Sequence, residues 1–294
     1  MVDFEFEDRV GHPLQKWNDL KDRVQQENTK AFSDVADEFL AVLWCLDQYR
    51  IKGIPPRLMG KPTDTDAQRL SGAYRSKGGW FAELVSLLLE NQTSSPLAPR
   101  SNIQGFSQAH QIDIAWPAKR DAPLVCVETK VMGGPAYNKQ PARASTADWS
   151  NRRKELKFQA TDLKLYRREE RQKIDHWDNW RKIAPPSVYF MWCARMKKPR
   201  DNLNRMIAEL RALTETYLDG AGVFAYEPND ANTGYQVVPI HQRDRVVDLS
   251  DLVHRVAEEI EDRAREGLPP DPEPSEQRPV DVSLLEPDSE EPGE

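Results

Sequence analysis

The chain contains no run of apolar residues approaching the roughly 20 that a membrane-crossing helix needs. Its first residues, Met1-Val2-Asp3-Phe4-Glu5, lack the basic-then-apolar layout of a secretory signal, so a cytosolic location is expected. Cysteine is scarce. Cys45, Cys126 and Cys193 stand far apart, without the paired spacing of a zinc site or a disulfide framework, and each is expected as a small buried apolar residue. His12, His110, His176, His241 and His254 form no metal-ligand spacing either. No Gly-x-Ser-x-Gly or phosphate-loop motif occurs, and Gly133-Gly134 lacks the Gly-Lys-Ser/Thr ending of a nucleotide-binding loop, which leaves a nucleotide cofactor unsupported.

What is abundant is charge, unevenly spread. The formal net charge of -7 is concentrated in a proline-rich tail, residues 267–294, which holds nine acids against Arg278 alone and is expected to be disordered. Between Lys130 and Arg205 the balance reverses, with 19 Lys and Arg against 8 Asp and Glu. A stretch this basic can supply phosphate contacts, or it can form solvated helix faces.

Patterning divides the rest. Residues 1–75 read as an N-terminal helical region, with Leu14, Trp17, Leu20 and Val24 on one stripe, then an apolar run from Phe32 to Leu46. Gly53 and Pro55-Pro56 close this run, and Gly60 to Ser71 reads as a surface connection. Residues 76–266 read as one α/β domain. Its order is a helix from Gly79 to Glu90, strands Asn102–Phe106, Gln111–Trp116 and Leu124–Lys130, and a long loop from Val131 to Ser150. A helix from Arg153 to Lys173, a buried strand Ser187–Ala194, a helix Leu203–Leu218, a strand Gly222–Tyr226, a hairpin return Gly234–Ile240 and a helix Leu249–Arg265 complete it.

Two neighbouring strands carry acids where apolar residues are usual. Asp113 is expected on the face opposite Ile112 and Ile114, while Glu128 and Lys130, two residues apart, share a face. If the strands pair as a hairpin, Asp113 comes close to Glu128. Two adjacent carboxylates repel unless a cation sits between them or one is protonated. Magnesium, which prefers oxygen ligands and keeps several waters, suits such a pair, and manganese can substitute. Lys130 can orient a water and offer charge to a phosphorane-like transition state. Glu83 lies on the same side of its helix as Trp80, Leu84, Leu87 and Leu88 and is a candidate third acid.

This order of an acid on a helix, Asp113 on a strand and Glu128-Thr129-Lys130 on the next strand resembles the PD-(D/E)xK nuclease superfamily, whose best-known members are type II restriction endonucleases. Ile112 stands where the motif's name has proline. The resemblance covers roughly residues 78 to 195 and implies a restriction-endonuclease-like core, a central mixed β-sheet flanked by helices. It implies metal binding by Asp113, Glu128 and the main-chain carbonyl of Thr129, with Lys130 assisting the attacking water and Glu83 reaching the metal directly or through water. Gln159 and Tyr166 are similar to a helical Gln and Tyr that some of these nucleases place near DNA. Gln111 and His110 are candidates for touching DNA or metal-bound water, or for ordinary hydrogen bonding.

The expected activity is therefore magnesium-dependent hydrolysis of double-stranded DNA by a homodimeric, restriction-type endonuclease. Lys139, Arg143, Arg152, Arg153, Lys154 and Lys157 are its candidate DNA contacts. Trp177 and Trp180, beside basic residues, could stack on bases or pack in a core. Two alternatives stand beside it. One is a repair, junction-processing or antiphage nuclease with little sequence preference; the other is a catalytically inactive DNA-binding module of the same fold.

Overall fold

Ser187 to Arg195 reads Ser-Val-Tyr-Phe-Met-Trp-Cys-Ala-Arg, with no polar alternation, so it is stable as a strand only between two apolar layers. That requirement organises the molecule. The structure, a computed structural model, describes residues 4–61, 63–93, 95–118, 123–172, 185–197 and 203–266. The Trp177 and Trp180 pair and the tail at 267–294 lie outside the described residues.

Helices α1 (Phe4–Val10), α2 (Pro13–Gln26), α3 (Ala36–Lys52) and α4 (Asp66–Thr93) precede strands β1 (Ala98–Gln104), β2 (Ala109–Trp116) and β3 (Val125–Met132). Helix α5 (Trp149–Gln172), strand β4 (Ser187–Arg195) and helix α6 (Leu203–Thr214) follow. Strands β5 (Gly220–Pro228), β6 (Tyr235–Val238) and β7 (Val246–Asp248) and helix α7 (Leu249–Glu266) end the described chain. Among the described residues the strands form one mixed, seven-stranded open sheet in the order β1-β2-β3-β4-β5-β6, with β7 also paired to β5. The first three strands form an antiparallel meander, β3, β4 and β5 run parallel, and β6 returns antiparallel to β5 as the hairpin pattern predicts.

Helices cover both faces. On one, α2, α3, α4 and α7 bury residues such as Trp17, Phe39, Phe81, Leu84 and Val256 against Ile114, Val127 and Met191. On the other, α5 and α6 bury Leu156, Ala160, Met206 and Leu210 against Cys126, Phe190 and Trp192. Complete burial of a Phe or Leu stabilises by about 2 kcal/mol, so Phe81, Leu84 and Leu88 hold α4 firmly on the sheet. The boundary expected at residues 75 and 76 falls inside α4, and the N-terminal helices share the sheet's own core. Cys45, Cys126 and Cys193 are all buried and form no disulfide, as expected. Among the described residues no helix is long and apolar enough to cross a membrane.

Helix α4 begins well before Gly79. Thr65 Oγ1 accepts the Gln68 N–H at 3.3 Å, and Gln68 Oε1 accepts the Thr65 N–H at 2.9 Å. This reciprocal cap turns the expected surface connection into helix from Asp66 onward.

Candidate active site at the parting of strands β2 and β3

The β2–β3 ladder has three rungs, ending at Ile114 opposite Val127. One step further the register would set Asp113 opposite Glu128, and there the strands part. The β1–β2 ladder lapses at the same level: Pro99 pairs with Ile114 and Ser101 with Ile112, while Arg100, opposite Asp113, takes φ +50° and leaves the rung open. Side-chain alternation shifts here too. Ile114 packs under α4, whereas Ile112 packs with Ala115 on the α5 side, so Ile112 and Ile114 do not share the face expected of them. The cause is the local break in both ladders.

The freed backbone is bonded by side chains. Asp113 Oδ2 accepts the Thr129 N–H at 2.8 Å and the Thr129 hydroxyl at 2.9 Å. In an extended strand the N–H and C=O of one residue point to the same side. The Thr129 carbonyl therefore faces the gap that Asp113 occupies, away from β4. Lys130 Nζ bridges the acids, 3.2 Å from Glu128 Oε2 and 3.9 Å from Asp113 Oδ2. Gln159, on α5, donates from Nε2 to Glu128 Oε1 at 3.0 Å. Glu128 is buried, and that burial pushes its carboxyl up to about 7; Lys130 opposes the rise and Asp113 adds to it.

The site opens on both sides of the sheet. Asp113, Thr129 and Lys130 border a cavity of about 620 Å³ under α4, whereas Glu128, Gln111 and Gln159 border a smaller one of about 250 Å³ under α5, with Lys130 common to both. His110 takes the hydrogen-bonding option: buried, it meets Asp162 at 2.8 Å, and Asp162 also accepts from the Ser107 N–H and hydroxyl. Tyr166 lies farther along α5, partly buried.

Glu83 does not join the pair. It is exposed and sits 3.4 Å from Lys21 on α2. The buried stripe of α4 is centred on Trp80, Phe81, Leu84, Val85 and Leu88, which leaves Glu83 at its margin, one turn beyond the cavity wall at Gly79. Two carboxylates converge, where sequence reasoning expects three. Among the described residues no group of three His, Cys, Asp or Glu is arranged to hold a metal ion.

The candidate DNA contacts scatter. Arg143 and Arg152 border the larger cavity. Lys139 sits at the tip of a two-residue turn, Asn138 φ +44° and Lys139 φ +65°, that joins Tyr137 to Gln140. Gly134 and Arg143 exchange both backbone hydrogen bonds below it, so the expected irregular loop is a small hairpin. Arg153 pairs with Glu209, just as Arg152 pairs with Asp148 and Glu155 and Arg143 reaches Asp148; Lys157 lies over the Tyr217 ring, and Lys154 is exposed.

Sequence reasoning missed four basic residues on the larger cavity: Arg50, Arg75, Lys77 and Arg100. The Thr65-x-x-Gln68 cap was the available signal for two of them, because it extends α4 back through Arg75 and Lys77. Comparison of the chain with protein families, with curated proteins and with solved structures finds no match.

Proposed function

We propose that the chain is a magnesium-dependent deoxyribonuclease of the restriction-endonuclease-like type, hydrolysing phosphodiester bonds in double-stranded DNA. The observation that carries this reading is the level at which β2 leaves β3, where Asp113 and Glu128 flank one ammonium. Two carboxylates this close to one ammonium repel one another, and a bound cation would relieve that repulsion.

The donor set fits magnesium. Asp113, Glu128 and the Thr129 carbonyl are hard oxygen ligands, and two carboxylates with several retained waters are its usual protein complement. Bound there, the metal would polarise the scissile phosphate and lower the pKa of a coordinated water. Each residue then has its own task. Asp113 is held by Thr129, which fixes its carboxylate in the gap. Gln159 bonds Glu128, and Lys130, beside it, would orient the attacking water and offset charge on the pentavalent phosphorus. Arg143, Arg152 and the hairpin tip at Lys139 are the DNA contacts this geometry favours. A two-fold dimer would present two such sites to the two strands.

Supercoiled plasmid with magnesium tests the reading. Nicking or linearisation is expected, falling at least about 100-fold in Asp113→Ala and in Lys130→Ala. Activity that survives both changes removes this site. Discrete fragments from long DNA support restriction-type specificity, and a smear replaces it with a nuclease of little sequence preference.

A further inference from the structure

Arg50, Arg75, Lys77 and Arg100 come from three separate elements, α3, α4 and β1, yet all four border the cavity that Asp113 and Lys130 close at its other end. Among the described residues none of the four has a carboxylate within ion-pair distance. The acid nearest in charge to Lys77, Asp47, is already engaged by Arg195 at 3.1 Å and by the Tyr235 hydroxyl. Four cations that border one cavity without an ion-pair partner among the described residues give it a positive potential that attracts an anion.

Lys77 is the deepest of them. It is 8% exposed, and its Nζ donates to the Tyr74 hydroxyl at 2.8 Å and to the Gly133 carbonyl at 3.0 Å, which leaves one N–H of three for a ligand. Arg50 is fixed above, its guanidinium 4.1 Å from the centre of the Tyr74 ring and 5.0 Å from that of Tyr137. Arg100 lies against α4 where Gly79 leaves room; a Cβ there would stand 2.1 Å from its Nη2. Burial pulls the Lys77 ammonium down to about 8, so an anion that restores its charge gains from doing so.

We infer that this cavity seats a phosphate monoester, the terminal phosphate of a nucleic-acid strand whose adjoining backbone runs past Lys130. A monoester is a dianion near neutral pH and matches the cation cluster better than a singly charged diester. Its free oxygens can reach Lys77, whereas a diester carries a sugar on each side and is held off from so buried a group. The choice of a nucleic acid as the bearer rests on the nuclease reading; the preference for a terminal phosphate rests on the cavity.

Fluorescence anisotropy with the full chain in EDTA tests it without cleavage. Labelled duplexes ending in 5′-phosphate, 3′-phosphate or hydroxyl are titrated, with inorganic phosphate as competitor. One phosphorylated end is expected to bind at least tenfold tighter than the hydroxyl end. That preference should fall below threefold in Lys77→Met and in the surface variants Arg75→Gln and Arg100→Gln, which cover the case that Lys77→Met does not fold. Equal affinity for all ends overturns the proposal, as does inorganic phosphate abolishing the preference at equimolar concentration with the strand. Cleavage without end preference sinks the pocket alone; end preference without cleavage sinks the catalytic reading alone.

Discussion

Glu128 and Lys130 share one face of β3, and the ammonium stands 3.2 Å from a carboxylate that burial still pushes up to about 7. The loss of water around Glu128 outweighs the one lysine, and Asp113 beside the same ammonium adds to the rise. The pair is therefore electrostatically incomplete at neutral pH, the condition in which a divalent cation gains most by binding.

Stability should record this incompleteness. The Glu128 carboxyl titrates near 4.5 when unfolded and about 7 when folded, so between those values the folded chain keeps a proton the unfolded chain has released. Stability then falls as pH rises through that window and levels off above it. Glu128→Gln lacks the titration and is expected to gain on the wild type by on the order of 3 kcal/mol between pH 4 and pH 8. Urea denaturation at the two pH values measures the gap; magnesium should narrow it, and a gap that does not change with pH is inconsistent with a buried, proton-holding Glu128.

Gln159 is a positioning residue, since its amide touches Glu128 and nothing in the reaction. Its hydrogen bond favours the ionised carboxylate, so Gln159→Met should raise the Glu128 pKa further, by about one unit for a hydrogen bond to a charged group. The acid limb of the cleavage-rate profile is expected to move to higher pH by that amount. A lower rate with an unmoved limb would assign Gln159 to packing alone.

These residues were legible in the sequence because their strands are short and strongly patterned: an acid inside Ile112-Asp113-Ile114 or Val127-Glu128-Thr129 stands out against apolar neighbours. The cations at Arg50, Arg75, Lys77 and Arg100 were not, because a lysine or arginine on a helix reads as a solvated face until the tertiary fold closes over it. Lys77 is buried only because β3 and the Gly133 turn pack across α4. Residues 246–248 form a strand too short to show a period, and they pair only because β5 offers a free edge. Glu83 was misplaced for another reason. Spacing locates a residue on a helix but not the width of the buried stripe, and here Phe81 and Val85 draw that stripe away from it.

Glu83→Gln is consequently expected to leave plasmid cleavage within about twofold of the wild type. It removes one partly exposed ion pair with Lys21, worth less than about 1 kcal/mol. A loss of cleavage beyond about tenfold, with the melting temperature unchanged, would return Glu83 to the site through a rearrangement of α4.

The buried pair behind the cavity should be the most sensitive point of the molecule. Asp47 and Arg195 are each under a tenth exposed, 3.1 Å apart, with the Tyr235 hydroxyl bonded to both. Arg195 also donates from Nη1 to the Gly134 carbonyl at 3.2 Å, so the pair anchors the foot of the hairpin that carries Tyr137 and Arg143. Removing one partner leaves an uncompensated charge in a place water does not reach, and Asp47→Asn is expected to cost about 3–5 kcal/mol. Removing both removes the cost of burying them, so Asp47→Leu with Arg195→Met should recover most of that loss. Limited proteolysis separates stability from anchoring: the double variant should melt near the wild-type temperature yet be cut faster between Gly134 and Arg143, because the Gly134 carbonyl keeps only its Arg143 donor. Equal protection of that hairpin in both proteins would show that its own backbone pairing, and not Arg195, holds it in place.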